Sequence, residues 1–465
     1  MRPSKGGLGR DVLQSQLELV SLVWRDPRFR SLMLAIWVSD FGGALHAPVL
    51  TFFFREVGAT AVHIGLFGVM SSAGAFLLAP FYGWLVDARS IYWPVLASCG
   101  LCGFACLWRG LATTVWELFA AEAMMGLSGA NIWGMAKGFV AAHTDPADRS
   151  LVVSGFDFQN MVFMLAGKAC YQPLSGLVHL LAPGCSTMMF YRLFIGICTF
   201  FCVAGSMILV VWGGPLLATP PPKTTIGTDA IAVPATVKLT GGPRCFAAVC
   251  ALLMCQSAAL SSVTTLWPMF VQDSFGWAAH EYSILLIVQG VATAWSVASV
   301  PAFAARSTYM VLASNLAFFA AFGCIAFVLP HGDSAAGRVF GHVVPAACFF
   351  AAAAALGPTL ASIASLLMSR HQQGRSFGAL ATATTAGSVV GNLLGTSLYS
   401  HSKAMSRGMG SGGRLPFVLV SVVLGLCGVC LTVVKQWVTL ETDGRSGRAR
   451  ELDVVNDNEE VVGLR

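Results

Sequence analysis

Apolar runs of about 20 residues or more recur along almost the whole of this 465-residue chain, and no other feature constrains its fold as tightly. About 20 residues of helix cross a hydrocarbon core. Inside lipid every backbone N–H and C=O must find a partner within the fold, so runs of this length have to be helical. Spans are predicted near 32–54, 62–86, 91–112, 117–141, 151–182, 190–213, 245–271, 283–304, 307–330, 340–368, 377–400 and 416–438. Composition agrees: 56% of residues are apolar and 11% charged, too little charge to cover a soluble protein of this size. The predicted class is an all-α polytopic membrane protein with twelve transmembrane helices.

The one long polar connection, rich in Pro, Thr and Gly, lies at 214–243. It divides the chain into an N-terminal extension (1–31), a first six-helix bundle (32–213), a linker (214–243), a second six-helix bundle (244–438) and a tail (439–465). With both termini and the linker in the cytosol, nineteen Lys and Arg fall inside. Seven fall in the opposite loops, among them Arg55, Arg109 and Arg192. That bias predicts cytosolic termini and an even number of spans. The basic start (Arg2, Lys5, Arg10) lacks an apolar core, so no cleavable leader is expected. The net charge of +6 reads as cytosolic loops facing anionic lipid rather than a nucleic-acid surface.

The two halves also look like repeats. Pro48 precedes Gly58 by ten residues and His63 by fifteen, while Pro268 precedes Gly276 by eight and His280 by twelve. The second span of each half ends alike, in GWLVDAR and VPAFAAR. Pseudo-symmetric bundles enclosing a site near the bilayer midplane are a common transporter plan.

Asp40, Gly42, Gly43, Pro48, Val49 and Leu50 in span 1 resemble the tetracycline-exporter branch of the drug:proton antiporters, within the major facilitator superfamily. Gly83, Asp87 and Arg89 are similar to the superfamily signature between helices 2 and 3, although its later basic positions are Tyr92 and Trp93 here. AAEAMMGLSGAN in span 4 and the loop HTDPADRSLVVSG resemble the family as well. Two positions depart from its pattern. Glu122 stands four residues before Gly126 where an Arg is usual, and the helix-5 motif is reduced to Gln172, Pro173 and Gly176. The resemblance implies the major facilitator fold, a cytosolic gate at Gly83, Asp87 and Arg89, and contact between helices 5 and 8 at Pro173 and Gly176.

Ionisable residues inside spans are costly and mark substrate or proton pathways. At about 100° per residue, Asp157, Met161, Met164, Lys168, Gln172, Ser175 and His179 share one face of span 5, and Glu122, Gly126, Gly129, Trp133 and Lys137 share one face of span 4. The candidates for substrate contact or proton coupling are Asp40, Glu122, Asp157, Lys168, Gln172, His46 and Lys137. A plainer reading of Lys168 is a structural ion pair with Asp157 or Glu122, and of Asp40 a hydrogen bond between packed helices. Gly387, Gly391 and Gly395 in span 11, opposite Ala75, Ala79 and Gly83 in span 2, are the expected sliding surfaces between bundles.

Fourteen cysteines are scattered singly except for Cys99, Cys102 and Cys106, which have no nearby histidine and read as small buried residues rather than a metal site. No nucleophile motif or phosphate loop is present, so an enzyme is not expected. No cofactor is called for; a proton is the one coupling ion the carboxylates could carry. The leading reading is secondary active transport of a small organic solute by alternating access, with proton-coupled efflux as one form of it and a monomer as the working unit in the bilayer. A facilitator or symporter of an anionic metabolite, and a non-transporting receptor or scaffold on the same fold, remain as alternatives.

Overall fold

The computed structural model describes residue 24 and residues 26–88, 90–128, 132–142, 149–217, 242–304, 308–328, 334–367 and 373–405. The predicted twelfth span (416–438), the tail, most of the linker, most of the N-terminal extension and Arg89 lie outside the described residues. Among those described there is no strand, and eight helices are long and apolar enough to cross a membrane.

The spans follow the predicted order. Span 1 is Pro27–Glu56, span 2 Ala61–Ala88 and span 3 Tyr92–Leu111. Span 4 comes as two helices, Val115–Ser128 and Ile132–Ala142. Span 5 is Arg149–Leu181, and span 6 is Thr187–Ile208, continued through a widened π-helical turn at Leu209–Gly213. Spans 7 and 8 are Gly242–Phe275 and Ala279–Ala304. Span 9 runs from Thr308 to Val328, span 10 from Ala335 to Leu367, and span 11 is Gln373–Met405.

Local chemistry fixes the ends. Asp26 caps span 1 by accepting from the Arg28 N–H at 2.8 Å, with Pro27 in the first turn where no donor is needed. Gly58 (φ +99°) and Gly276 (φ +70°) are the only described residues with positive φ, and each turns the chain out of the first span of its half. Only glycine adopts that conformation without strain. The helices that follow open on comparable contacts: the Thr60 N–H donates to His63 Nδ1 at 3.3 Å, and the Ala278 N–H donates to Glu281 Oε2 at 3.0 Å. The sequence repeat is therefore a structural repeat as well.

Spans 2 and 11 form the most extensive helix pair, and spans 5 and 8 form another contact across the two halves. Three large apolar clusters divide the interior. One draws on both halves, from Leu45–Phe54 in span 1 to Ala259–Val271 in span 7, and lies at the end of the molecule that carries Gly58 and Gly276. The other two lie toward the linker end. One contains only first-half residues such as Ile36, Val95 and Met135, the other only second-half residues such as Leu252, Leu316 and Leu360. The halves thus share a core at one end and keep separate cores at the other. Outside, Leu77, Phe104, Trp116, Phe200, Trp295 and Phe340 are exposed, as a lipid-facing surface requires.

The glycine stripe of span 11 does not face span 2. A Cβ on Gly387 or Gly391 would collide with the carbonyl oxygens of Met254 and Ala258, and one on Gly395 would lie 2.9 Å from Ser262 Cβ, all on span 7. The three glycines close a seam inside the second half. The surface between halves uses other residues: Gly65 and Gly68 of span 2 meet Thr396 and Asn392, while Gly378 of span 11 lies over Ala79 and Gly83. A helix has several small faces, and spacing alone does not say which neighbour each one meets.

Candidate functional site

Arg109, counted among the outer loops by charge, stands in the last turn of span 3. It is 3% exposed. Its guanidinium Nη2 lies 2.6 Å from Glu122 Oε1, and Nη1 is 3.4 Å from His46 Nε2. His46 Nδ1 is 3.2 Å from the Gly42 carbonyl oxygen. Glu122 is therefore held by an arginine from the neighbouring span and is not joined to Lys168. The glutamate in the usual arginine position and the arginine at the end of span 3 form one buried pair, supplied by two helices. Such a pair costs desolvation that only close geometry offsets.

A second pair joins span 4 to span 5, with Lys137 Nζ 2.6 Å from Asp157 Oδ1. Asp157 Oδ2 is buried without a partner among the described residues, as are both polar atoms of Gln159 and Asn160 Oδ1. Gln159 and Asn160 were missed from the sequence because uncharged amides on a long helix give no distinctive signal.

Two charges remain. Asp40 accepts a hydrogen bond from Trp133, and its Oδ2 is buried with no partner among the described residues. Lys168, 9% exposed, donates from Nζ to Gln289 Oε1 of span 8 at 3.1 Å, and no described carboxylate lies within ion-pair distance of it. Gly167 sits against the Phe41 carbonyl of span 1, which sets Lys168 close to the depth of Asp40. One turn beyond Lys168, Gln172 Nε2 donates to the His280 carbonyl oxygen at 3.0 Å and also bonds Ser283. The polar stripe of span 5 therefore touches the other half directly.

Other predicted positions lie elsewhere. Pro173 and Gly176 are exposed, and a Cβ on Gly176 would meet nothing within 4 Å, so no other helix lies close against Gly176. Contact with span 8 is made by Leu165, Lys168 and Gln172, about 100° around the helix from Pro173. His179 is exposed and stacks on Phe190. Gly83 is buried against span 11 at Gly378, whereas the side chain of Asp87 and all of Arg89 lie outside the described residues.

The end that carries Gly58 and Gly276 is tied across the halves. Arg55 of span 1 bonds Gln272 and lies 3.4 Å from Asp273 Oδ1 of span 7. Asp273 Oδ2 in turn accepts from Tyr399 Oη and Lys403 Nζ of span 11, both at 2.8 Å. Phe52 and Tyr282 meet edge to face beneath this network.

A profile of the Major Facilitator Superfamily matches residues 32–330. The chain belongs to the Major Facilitator Superfamily. Two solved structures carry the same fold. The nucleoside transporter NupG superposes with a TM-score of 0.61 at 12% identity, over 89% of this chain and 100% of that one. The human organic anion transporter MFSD10 gives 0.57 at 15% identity, over 87% and 99%. A search of curated protein sequences finds no match. This superfamily member is an integral multi-pass membrane protein that transports a small solute, and it is not an enzyme.

Proposed function

We propose that this transporter carries a small organic anion by alternating access, with Lys168 holding the anionic group and Asp40 carrying a coupling proton. The observation that supports this most is the ammonium of Lys168: buried, between the halves, bonded to the neutral Gln289, and without a described carboxylate. A buried charge is tolerated when a partner neutralises it, and a carboxylate or phosphate on a solute would be that partner. Glu122 and Asp157 are engaged with Arg109 and Lys137, which leaves Asp40 as the carboxylate free to exchange a proton.

With both termini in the cytosol, the shared apolar core and the Arg55–Asp273–Lys403 network close the outer face, and the separate cores lie at the cytosolic face. The cytosolic ends still touch where Gly378 of span 11 lies over Ala79 and Gly83, so opening inward has to part span 11 from spans 2 and 4. Opening outward separates Arg55 from Asp273, and opening inward parts the cytosolic ends, where Gly83, Asp87 and Arg89 act as the gate. Gly391 and its neighbours would move with span 7 as one body.

Asp40 also supports a second reading, closer to the tetracycline-exporter resemblance: proton-driven efflux of a cationic solute that binds the unpartnered Asp40 oxygen. Flux in proteoliposomes under an imposed proton gradient separates the two. A panel of organic anions should show saturable flux that is lost in Lys168→Ala and uncoupled from the gradient in Asp40→Asn. Flux of cations alone, unaffected by Lys168→Ala, would replace the anion reading with the efflux one.

A further inference from the structure

Spans 3 and 6 run antiparallel, and each presents two cysteines one turn apart: Cys102 and Cys106 on span 3, Cys198 and Cys202 on span 6. The pairs face each other. Cys102 Sγ lies 3.7 Å from Cys202 Sγ, and Cys106 Sγ lies 3.6 Å from Cys198 Sγ. The sulfurs of Cys102, Cys106 and Cys202 all lie within 4.8 Å of one another. A fifth sulfur, Met125 Sδ on span 4, is 3.7 Å from Cys102 Sγ. All four cysteines carry free thiols, and Cys106, Cys198 and Cys202 are each 1% exposed. The cluster is not visible along the sequence, because the partners of the span-3 cysteines lie about a hundred positions away on another helix.

We infer that this seam is a binding site for a soft metal ion, Cu(I), held by Cys102, Cys106 and Cys202, with Met125 and Cys198 as flanking sulfur donors. The donor set is all sulfur, which suits Cu(I), Zn(II) and iron–sulfur clusters, and the charge of the site decides among them. A metal with bonds of about 2.3 Å to sulfur needs donors about 3.8 to 4.0 Å apart in tetrahedral or trigonal geometry, close to the spacing already present. Charge limits the ion too. Arg109, three residues beyond Cys106, is already paired with Glu122. Negative charge brought by thiolates must therefore be balanced by the metal, and a monovalent ion needs one thiolate, with neutral thiol and thioether completing the shell. Each thiolate formed releases its proton to solution. Every ligand belongs to the first half, so the ion would clasp spans 3, 6 and 4 without joining the two halves.

The test uses the full chain, purified in detergent, reduced with a phosphine and titrated anaerobically with Cu(I) against a chromogenic Cu(I) chelator. Wild-type protein is expected to retain one Cu(I) per chain, to show a shell of sulfur alone at about 2.3 Å by X-ray absorption, and to melt at a higher temperature than the metal-free form. Metal should protect Cys102, Cys106 and Cys202 from alkylation, read site by site by mass spectrometry, while the exposed Cys170 stays reactive. Cys102→Ala/Cys106→Ala should bind Cu(I) at least tenfold more weakly, and the protection pattern of the unaltered chain tests the site even if that variant fails to fold. Equal Cu(I) retention by the double variant, alkylation of the three cysteines unaffected by metal, preference for Zn(II) over Cu(I), or conversion of the four thiols to disulfides under the titration conditions would each overturn the assignment. None of these readouts depends on which solute is transported.

Discussion

The two halves of this transporter share a repeat and differ in chemistry. Within the first half, Asp40, Arg109, Glu122, Lys137, Asp157 and Lys168 are all drawn into the helix interior. Among the described residues the polar interior of the second half is neutral at the same level. Gln256 donates to the Ala353 carbonyl oxygen at 2.7 Å, Ser257 and Ser261 meet Ser388, and Thr265 bonds Asn392. His342 is satisfied on both ring nitrogens, by the Ala326 carbonyl and the Trp267 indole. A symmetric scaffold thus confines the costly charges to one side and lets the other side meet them with dipoles, as Gln289 does for Lys168.

Experiments that break this contrast can be ordered by expected effect. The largest should come from Arg109→Met, which leaves Glu122 buried without its cation. Unfolding stability measured in detergent should fall by roughly 3–5 kcal/mol. Adding Glu122→Met should restore most of the loss, because an apolar pair replaces an ionic one. A stable single variant would show that the pair is not buried as described.

Next is the second-half seam. Gly391→Ala pushes a methyl group into the Ala258 carbonyl and should cost about 1–3 kcal/mol. Gly176→Ala meets open space and should lie within about 1 kcal/mol of wild type, on the stabilising side. Equal effects at the two positions would return the interface role to Gly176. A smaller, functional change is expected at the meeting of the halves. Gln289→Leu leaves Lys168 without its neutral acceptor and should slow anion flux about tenfold, less than Lys168→Ala, a cost comparable to one lost charge-assisted hydrogen bond. The smallest effect belongs to the exposed end network. Asp273→Asn should raise the alkylation rate at Ser283→Cys by about two- to fivefold, as expected for partly solvated ion pairs. No change would mean that the apolar core alone holds that end closed.

The site is partly legible in the sequence. Asp40, Lys168 and Gln172 stood out because charge and amide groups in long apolar runs are rare and their helical angles can be read off. Arg109 was misplaced because it stands at the end of an apolar run, where hydropathy cannot tell a buried terminal turn from a loop. Glu122 and Asp157 were legible as buried acids but not as paired ones, since Arg109 and Lys137 reach them from other helices. Pro173 and Gly176 were chosen by likeness to a motif, and a helix rotated by about 100° presents a different edge to span 8.

Sequence by itself determined that the chain crosses the membrane repeatedly as helix, that it does so in two related halves, and that its interior charge lies in the first. Hydropathy, glycine turns and proline positions act locally, along one segment at a time, and so can be read in one dimension. Tertiary structure alone decided which charges neutralise each other, which glycine face meets which helix, and that four cysteines on two helices converge. Those outcomes depend on the rotation and register of helices far apart in the chain, which are set by packing at every neighbouring surface at once.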